Sequence, residues 1–272
     1  GKTGLRVWHD QMESGADNCV LSTCPNHRSP CWTDEQAFTL ASVDVMTFLQ
    51  REHIAFALFS EAWAEEAASE EEAAVHRSAA VASRAAGDSL AHIMNEKLWR
   101  QNLGYHVAWN VSSSTPIIAR TYVIAWPLWA GLVNQTQAAA IAVTLEKDDM
   151  LSAVGLRSTS SDDPRYNNDN EIIPYSNWRG PMWVNANAVA CYGLARYGFK
   201  EQALRLAARV VGALAGDLRN SSNWHEAYST ATGSAAGAPL AAAGFLSWDT
   251  LSAELISNLQ AGVDPLALHK RA

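Results

Sequence analysis

Three stretches of this chain gather nearly all of the residue types that do chemistry. The first is Glu13-Ser14-Gly15-Ala16-Asp17-Asn18. The second runs from Tyr175 to Asn185 and contains Trp178-Arg179-Gly180-Pro181-Met182-Trp183. The third is Trp224-His225-Glu226-Ala227-Tyr228, followed by Thr232-Gly233 and then Phe245-Leu246-Ser247-Trp248. Each sets a carboxylate or an arginine among aromatic side chains around a glycine. One such stretch alone reads equally well as a turn, with an Arg merely stacked on a Trp. Three of them describe a cleft, because indole faces grip neutral, weakly polar rings. Two carboxyl groups flanking such a cleft can cleave a glycosidic bond. One, protonated, donates to the leaving oxygen, while the other activates a water or attacks directly. Asp17 and Glu226 supply that pair, and since they lie far apart in the chain only the fold can bring them together.

Composition narrows the field. The 272 residues carry 28 acidic and 20 basic side chains, a net charge of −8, and a polyanion is repelled by such a surface; nucleic acid is not the expected partner. No run of about 18 apolar residues is free of charges and turn formers, so no membrane span is expected. Eleven tryptophans are more than ordinary usage gives, and many sit in Gly- and Asn-containing stretches. Cys19, Cys24, Cys31 and Cys191 form no Cys-x-x-Cys pair and meet no histidine at zinc-finger spacing, although His27 lies between two of them. No metal is expected; a local disulfide and free thiols both stay open. The acidic run Ser161 to Glu171, with Asp162, Asp163 and Asp169, lacks the Gly and ligand spacing of a calcium loop and reads as a solvated loop. Ser14, His9 and Asp10 are too close in sequence to orient one another as a triad. Sequons at Asn110, Asn134 and Asn220 fit a secretory route without deciding against a cytoplasmic one.

The elements that must position these residues are helical almost throughout. From Thr33 as N-cap, Phe38, Ala41, Val45, Phe48 and Leu49 recur at three and four, and a second periodic stretch follows through Ile54, Ala57, Leu58, Ala62 and Trp63. Ser69 caps a long helix from Glu70 to about Trp99, acidic in its first turn as the helix dipole prefers, with Ala74, Ala85, Leu90, Ile93 and Leu98 as its inner stripe. Further helices are expected at 118–132, 135–146, 181–197, 200–216 and 245–261, and at most one short strand between Tyr105 and Val111. Tyr197-Gly198-Phe199 stops one helix and Lys200 opens its antiparallel partner. The recurring unit is a helix, a short turn, a returning helix and then a long irregular connection, which puts the long loops at one end of a single all-α domain spanning 1–272.

Glu-Ser-Gly-x-Asp-Asn, Trp-Arg-Gly-Pro-x-Trp-x-Asn and Glu-x-Tyr with Thr-Gly after it resemble, in this order and over most of the chain, glycoside hydrolase family 63. That family holds processing α-glucosidase I, bacterial α-glucosidase-like enzymes and mannosylglycerate hydrolases, and the likeness extends to trehalase. The resemblance implies an (α/α)6 toroid and inversion at the anomeric carbon, with no cofactor. It makes Asp17 the general acid and Glu226 the general base. It sets Glu13, Trp178, Arg179, Trp183 and Trp248 around the sugar, and Asp44 at a cavity-facing position. Asn18 leads into Cys19-Val20-Leu21 where relatives carry a Pro-Arg pair, a departure that touches substrate contacts. About seven helices fall short of the twelve of a full toroid, so the N-terminal hairpins are expected to be missing and the chain to be a C-terminal portion of a larger module. The expected substrate is an oligosaccharide or small α-glucoside or α-mannoside, and the missing half of the barrel is the expected protein partner. The rival reading is a truncated toroid that binds glycan without hydrolysing it.

Overall fold

The computed structural model describes residues 3–9, 12–16, 19–21, 39–168, 177–231 and 243–268. Its helices come in hairpins. α1 (Val43–Glu66) turns through residues 67–69 into α2 (Glu70–Leu98), α3 (Trp126–Ala130) leads through a short turn to α4 (Gln135–Leu145), and α5 (Val184–Arg196) returns as α6 (Lys200–Ser221). α7 (Leu251–Ala261) follows a long connection. α1, α3, α5 and α7 touch in succession, forming an inner row, while α2 and α6 pack on the outside of their partners. The long connections, 99–125, 146–183 and 222–250, alternate with the short turns as the loop pattern predicts.

Local signals explain most of these elements. The Ser69 hydroxyl accepts the Glu72 N–H at 3.2 Å, and three glutamates fill the first turn of α2, where the dipole favours anions. Asn134 and Gln137 cap α4 reciprocally, each side chain accepting the other's backbone N–H. Gly193 lets α5 cross α3 closely, since a Cβ there would stand 2.7 Å from the Trp129 nitrogen. The inner stripe of α2 is Ala73, Ala80, Ser83, Gly87, Leu90, Met94 and Leu98, so Ala74 and Ala85 point to solvent instead.

Several expectations need correction. Helix α1 begins at Val43, because Leu40–Ala41 forms strand β1 and pairs with Ala108–Asn110 (β4 in a three-stranded antiparallel sheet); the stretch from Thr33 to Phe38 lies outside the described residues. The two apolar stretches after it are one continuous helix. Among the described residues five short strands occur where one was expected. β2 (Trp99–Arg100) pairs with β3 (Tyr105–His106), and β4 pairs also with β5 (Thr115–Ile117). That strand displaces the start of the helix expected at 118, leaving a 3-10 turn over Tyr122–Ala125 and the five-residue α3, which ends at Gly131 in a left-handed conformation. The core gathers Met46, Met94, Leu98, Ile124, Leu128, Ile141, Leu145, Met182, Trp183 and Tyr228, each nearly inaccessible to solvent. No helix among the described residues is long and apolar enough to cross a membrane.

Candidate active site

The Trp-Arg-Gly-Pro stretch is fixed by its backbone. The Asn177 side chain accepts the Arg179 N–H at 2.9 Å and donates to the Asn167 carbonyl at 2.7 Å. Ser158 accepts the Gly180 N–H at 2.9 Å and donates its own N–H to Pro181. Position 180 must be glycine, because a Cβ would lie 2.7 Å from the Asn167 carbonyl oxygen and 2.9 Å from the Tyr166 ring. Met182 then exchanges both backbone hydrogen bonds with Tyr228, at 2.8 and 3.0 Å. This antiparallel bridge docks the second motif on the third and sets Glu226, half-buried, two residues from the joint.

An aromatic belt links the second and third motifs and runs on toward the N-terminal stretch. Trp178 stacks on Trp183 with ring centroids 3.9 Å apart and planes 8° from parallel. Trp183 meets Trp248 at 5.6 Å, and the Trp248 indole N–H donates to the Glu226 carbonyl at 3.3 Å. On the other side Trp178 meets Tyr122 at 4.9 Å, and Tyr122, Trp126, Phe48 and Trp8 continue edge to face toward the N-terminal stretch. Asp44 lies beneath this belt at the start of α1. It accepts hydrogen bonds from the Ser42 hydroxyl, from the Val45 N–H at 2.8 Å and from the Trp8 indole. Burial nevertheless outweighs them and pushes its carboxyl above the usual range.

Arg179 is 3% exposed, and burial draws its guanidinium below the ordinary arginine range. Cys19, Arg165 and Asp163 surround it. Cys19 itself is buried, which pushes its thiol up to about 12. Glu13 sits exposed in a 3-10 turn, Met12–Ser14, and accepts the His9 N–H at 2.7 Å. Asp17, the expected acid, lies outside the described residues, as do Tyr175, Ser176 and the Thr232-Gly233 pair. On either side of it Ala16 and Cys19 are buried, and the Cys19 N–H donates to Ala16 at 3.0 Å.

Motif reading missed a strap. Residues 163–168 are not a solvated loop but mostly half-buried, and they tie the first motif to the third. The Arg165 guanidinium grips Asp163 through two nitrogens, at 2.8 and 2.7 Å, and donates to the Val20 carbonyl at 2.8 Å. Asn168 accepts the Thr230 N–H at 2.9 Å and donates to Ser229 at 2.5 Å, while Tyr166 meets the Thr230 hydroxyl at 3.0 Å. Asp217 and Asp249 were missed as well, since they enter the Glu226 neighbourhood only after α6 and α7 pack. The Asp217 carboxylate holds His225 Nδ1 at 2.8 Å.

Hairpins set side by side, with their long loops gathered around this belt, define an (α/α)6 toroid protein. The chain superposes on the GH63 mannosylglycerate hydrolase of Thermus thermophilus, solved in complex with glucose, with a TM-score of 0.66 at 21% identity over 94% of this chain and 63% of that one. Neutral trehalase from Saccharomyces cerevisiae gives 0.61 at 19% identity over 85% of this chain and 41% of that one. The chain belongs to the family described as the mannosylglycerate hydrolase MGH1-like glycoside hydrolase domain, whose family model matches residues 2–246. Relatives in sequence include a mannosylglycerate hydrolase from another strain of Thermus thermophilus, 31% identical over 113 residues, and mannosylglycerate hydrolase MGH1 of Selaginella moellendorffii, 39% identical over 82. These matches span 42% and 29% of this chain but only 26% and 15% of the relatives' lengths.

Proposed function

We propose that this chain carries the catalytic face of an inverting glycoside hydrolase acting on a small α-glycoside, with Glu226 as general base and Asp17 as general acid. The observation that carries the reading is the backbone joint between Met182 and Tyr228, which holds the Glu226 loop against the Trp178–Trp183–Trp248 belt. A carboxylate beside an aromatic floor is what water activation at a bound sugar requires. Family membership supports the same chemistry, and the relatives' names make an α-mannoside of glycerate the first substrate to try, with trehalose the second. Trp178, Arg179, Trp183 and Trp248, with Asp44 and Glu13, are the proposed sugar-holding set.

The test compares Glu226→Gln and Asp17→Asn on mannosylglycerate, trehalose and aryl α-glycosides of graded leaving ability. Losing the base should abolish turnover of every substrate. Losing the acid should spare those whose leaving groups need little protonation. Nuclear magnetic resonance of the first product should show the inverted anomer, and the two carboxyl groups should stand roughly 6.5–9.5 Å apart, room for one water. A retained anomer would overturn the assignment. Wild-type protein that binds sugar but never turns it over would favour the rival reading of a glycan-binding toroid.

A further inference from the structure

The strap meets the loop that carries the proposed base, and a single side chain makes the joint. Asn168 uses both ends of its amide there. Its Oδ1 accepts the Thr230 N–H at 2.9 Å and the Thr230 hydroxyl at 2.8 Å, while its Nδ2 donates to the Ser229 hydroxyl at 2.5 Å. The Tyr166 hydroxyl lies 3.0 Å from the Thr230 oxygen, and with the Thr230 proton given to Asn168 the phenol is the donor. Three of the four hydrogen bonds that an amide side chain can form thus go to two consecutive residues of one loop. A carboxylate has no donor for this joint, and glutamine is a methylene too long. The loop itself is buried, with Tyr228, Ser229 and Thr230 at 0%, 1% and 5% exposure. Up to Tyr228 it is tied within the motifs. Met182 bridges Tyr228, the Trp248 indole holds the Glu226 carbonyl, and the His225 N–H meets the Tyr228 hydroxyl at 3.1 Å. Beyond Tyr228, Asn168 holds the chain from a segment that belongs to none of the three motifs. Its chain neighbour Asn167 is pinned to the second motif, donating its N–H to the Arg179 carbonyl at 3.0 Å and accepting the Asn177 amide at 2.7 Å. The Asn168 side chain is therefore a strut from the Trp178 floor to the base loop.

We infer that Asn168 is a positioning residue for the proposed base: by holding Ser229 and Thr230, three and four residues downstream, it sets where Glu226 stands over the Trp178–Trp183 floor. The role rests on the hydrolase reading. Water activation is sensitive to such placement, because a shift of about 1 Å caused from a distance can cost on the order of a hundredfold in rate. Arg165 bonds Asp163 and Val20 and so serves the first motif, which leaves the base loop to Asn168 and Tyr166.

The test is turnover of aryl α-glycosides of graded leaving ability, with kcat and KM measured separately. Asn168→Ala should lose at least about tenfold in kcat, with KM changed less than about twofold. The loss should be equal for good and poor leaving groups, because the base serves every substrate while the acid serves mainly the poor ones. A loosening of the whole site would misplace the acid as well, and poor leaving groups would then suffer more. Thr230→Val removes the hydroxyl but keeps the shape and the backbone N–H, so it should show the same pattern at a loss of at least about fivefold. Thr230→Ser keeps the hydroxyl and should stay within about twofold of wild type. Should Asn168→Ala not fold, the two Thr230 variants decide. Unchanged kcat, a loss confined to KM, a loss that grows as the leaving group worsens, or equal losses in Thr230→Val and Thr230→Ser overturn the positioning role and leave the hydrolase reading standing. Wild-type protein that turns over no α-glycoside overturns both.

Discussion

At the scale of single residues, the tryptophans named by the motifs combine core packing with the proposed sugar contact, two jobs that the sequence does not separate. Trp183 is 1% exposed, lies flat on Trp178 and donates its indole N–H to the Asn177 carbonyl at 2.9 Å. It belongs to the core as much as to the site. Replacing it with Ala should therefore lower stability by about 3–5 kcal/mol, measured by urea unfolding, and sugar binding should go with it as Trp178 loses its support. A variant that unfolds at the wild-type urea concentration yet binds no sugar would mark Trp183 as contact surface alone. Residue types at short spacing made Trp178, Trp183, Glu226 and Trp248 legible as candidates, and the fold brings them into one neighbourhood. Asp217 and Asp249 were not legible. A lone aspartate at a helix end looks like a cap until the opposing element shows which charges it faces.

At the scale of elements, what was legible was whatever is decided locally. The Ser69 cap and three acidic residues announce α2, and Tyr197-Gly198-Phe199 announces the turn into α6. What was not legible is decided by partners distant in sequence. Ala41 fits a helical period, but it and Leu40 form a strand claimed by β4, about seventy residues on. The β2–β3 hairpin shows the same effect in a side chain. His106 is buried, packs edge-on against Trp99 at 5.0 Å and meets the Asn95 Oδ1 at 2.9 Å through Nε2. Burial lowers its imidazole to about 3. The unfolded chain thus takes a proton near pH 6.5 that the folded hairpin refuses, so stability should drop as pH falls from 6.5 toward 3, by on the order of 4 kcal/mol. His106→Gln, read by denaturant titration at several pH values, should flatten that drop. An equally steep loss in the variant would show that other groups carry the acid sensitivity.

At the scale of the whole molecule, the hairpins form an arc whose first member presents apolar side chains outward. Phe56, Phe59 and Trp63 on α1, with Val75 and Val81 on α2, are each at least 49% exposed, and the Phe59 and Trp63 rings lie 6.3 Å apart. Clusters of this kind on a soluble surface mark contact sites. The chain as given should self-associate at micromolar concentration in light scattering, and the double variant Phe59→Glu, Trp63→Glu should reduce it to monomer. A monodisperse wild-type monomer would show that the face tolerates water.

The strap has a consequence for the order in which the parts of this chain come together. The two ends it joins, Val20 and Thr230, are separated by most of the chain, and nothing local draws them together. Closing loops of that length is slow compared with winding a helical hairpin. During synthesis the α1–α2 and α3–α4 pairs can settle while the ribosome is still working, and Arg165 finds Asp163 and Val20 already made, but Asn168 must wait for Ser229 and Thr230, which emerge only after α6. The proposed catalytic face is thus closed late, and a ribosome that stalls before Thr230 releases hairpins whose strap lacks its far end.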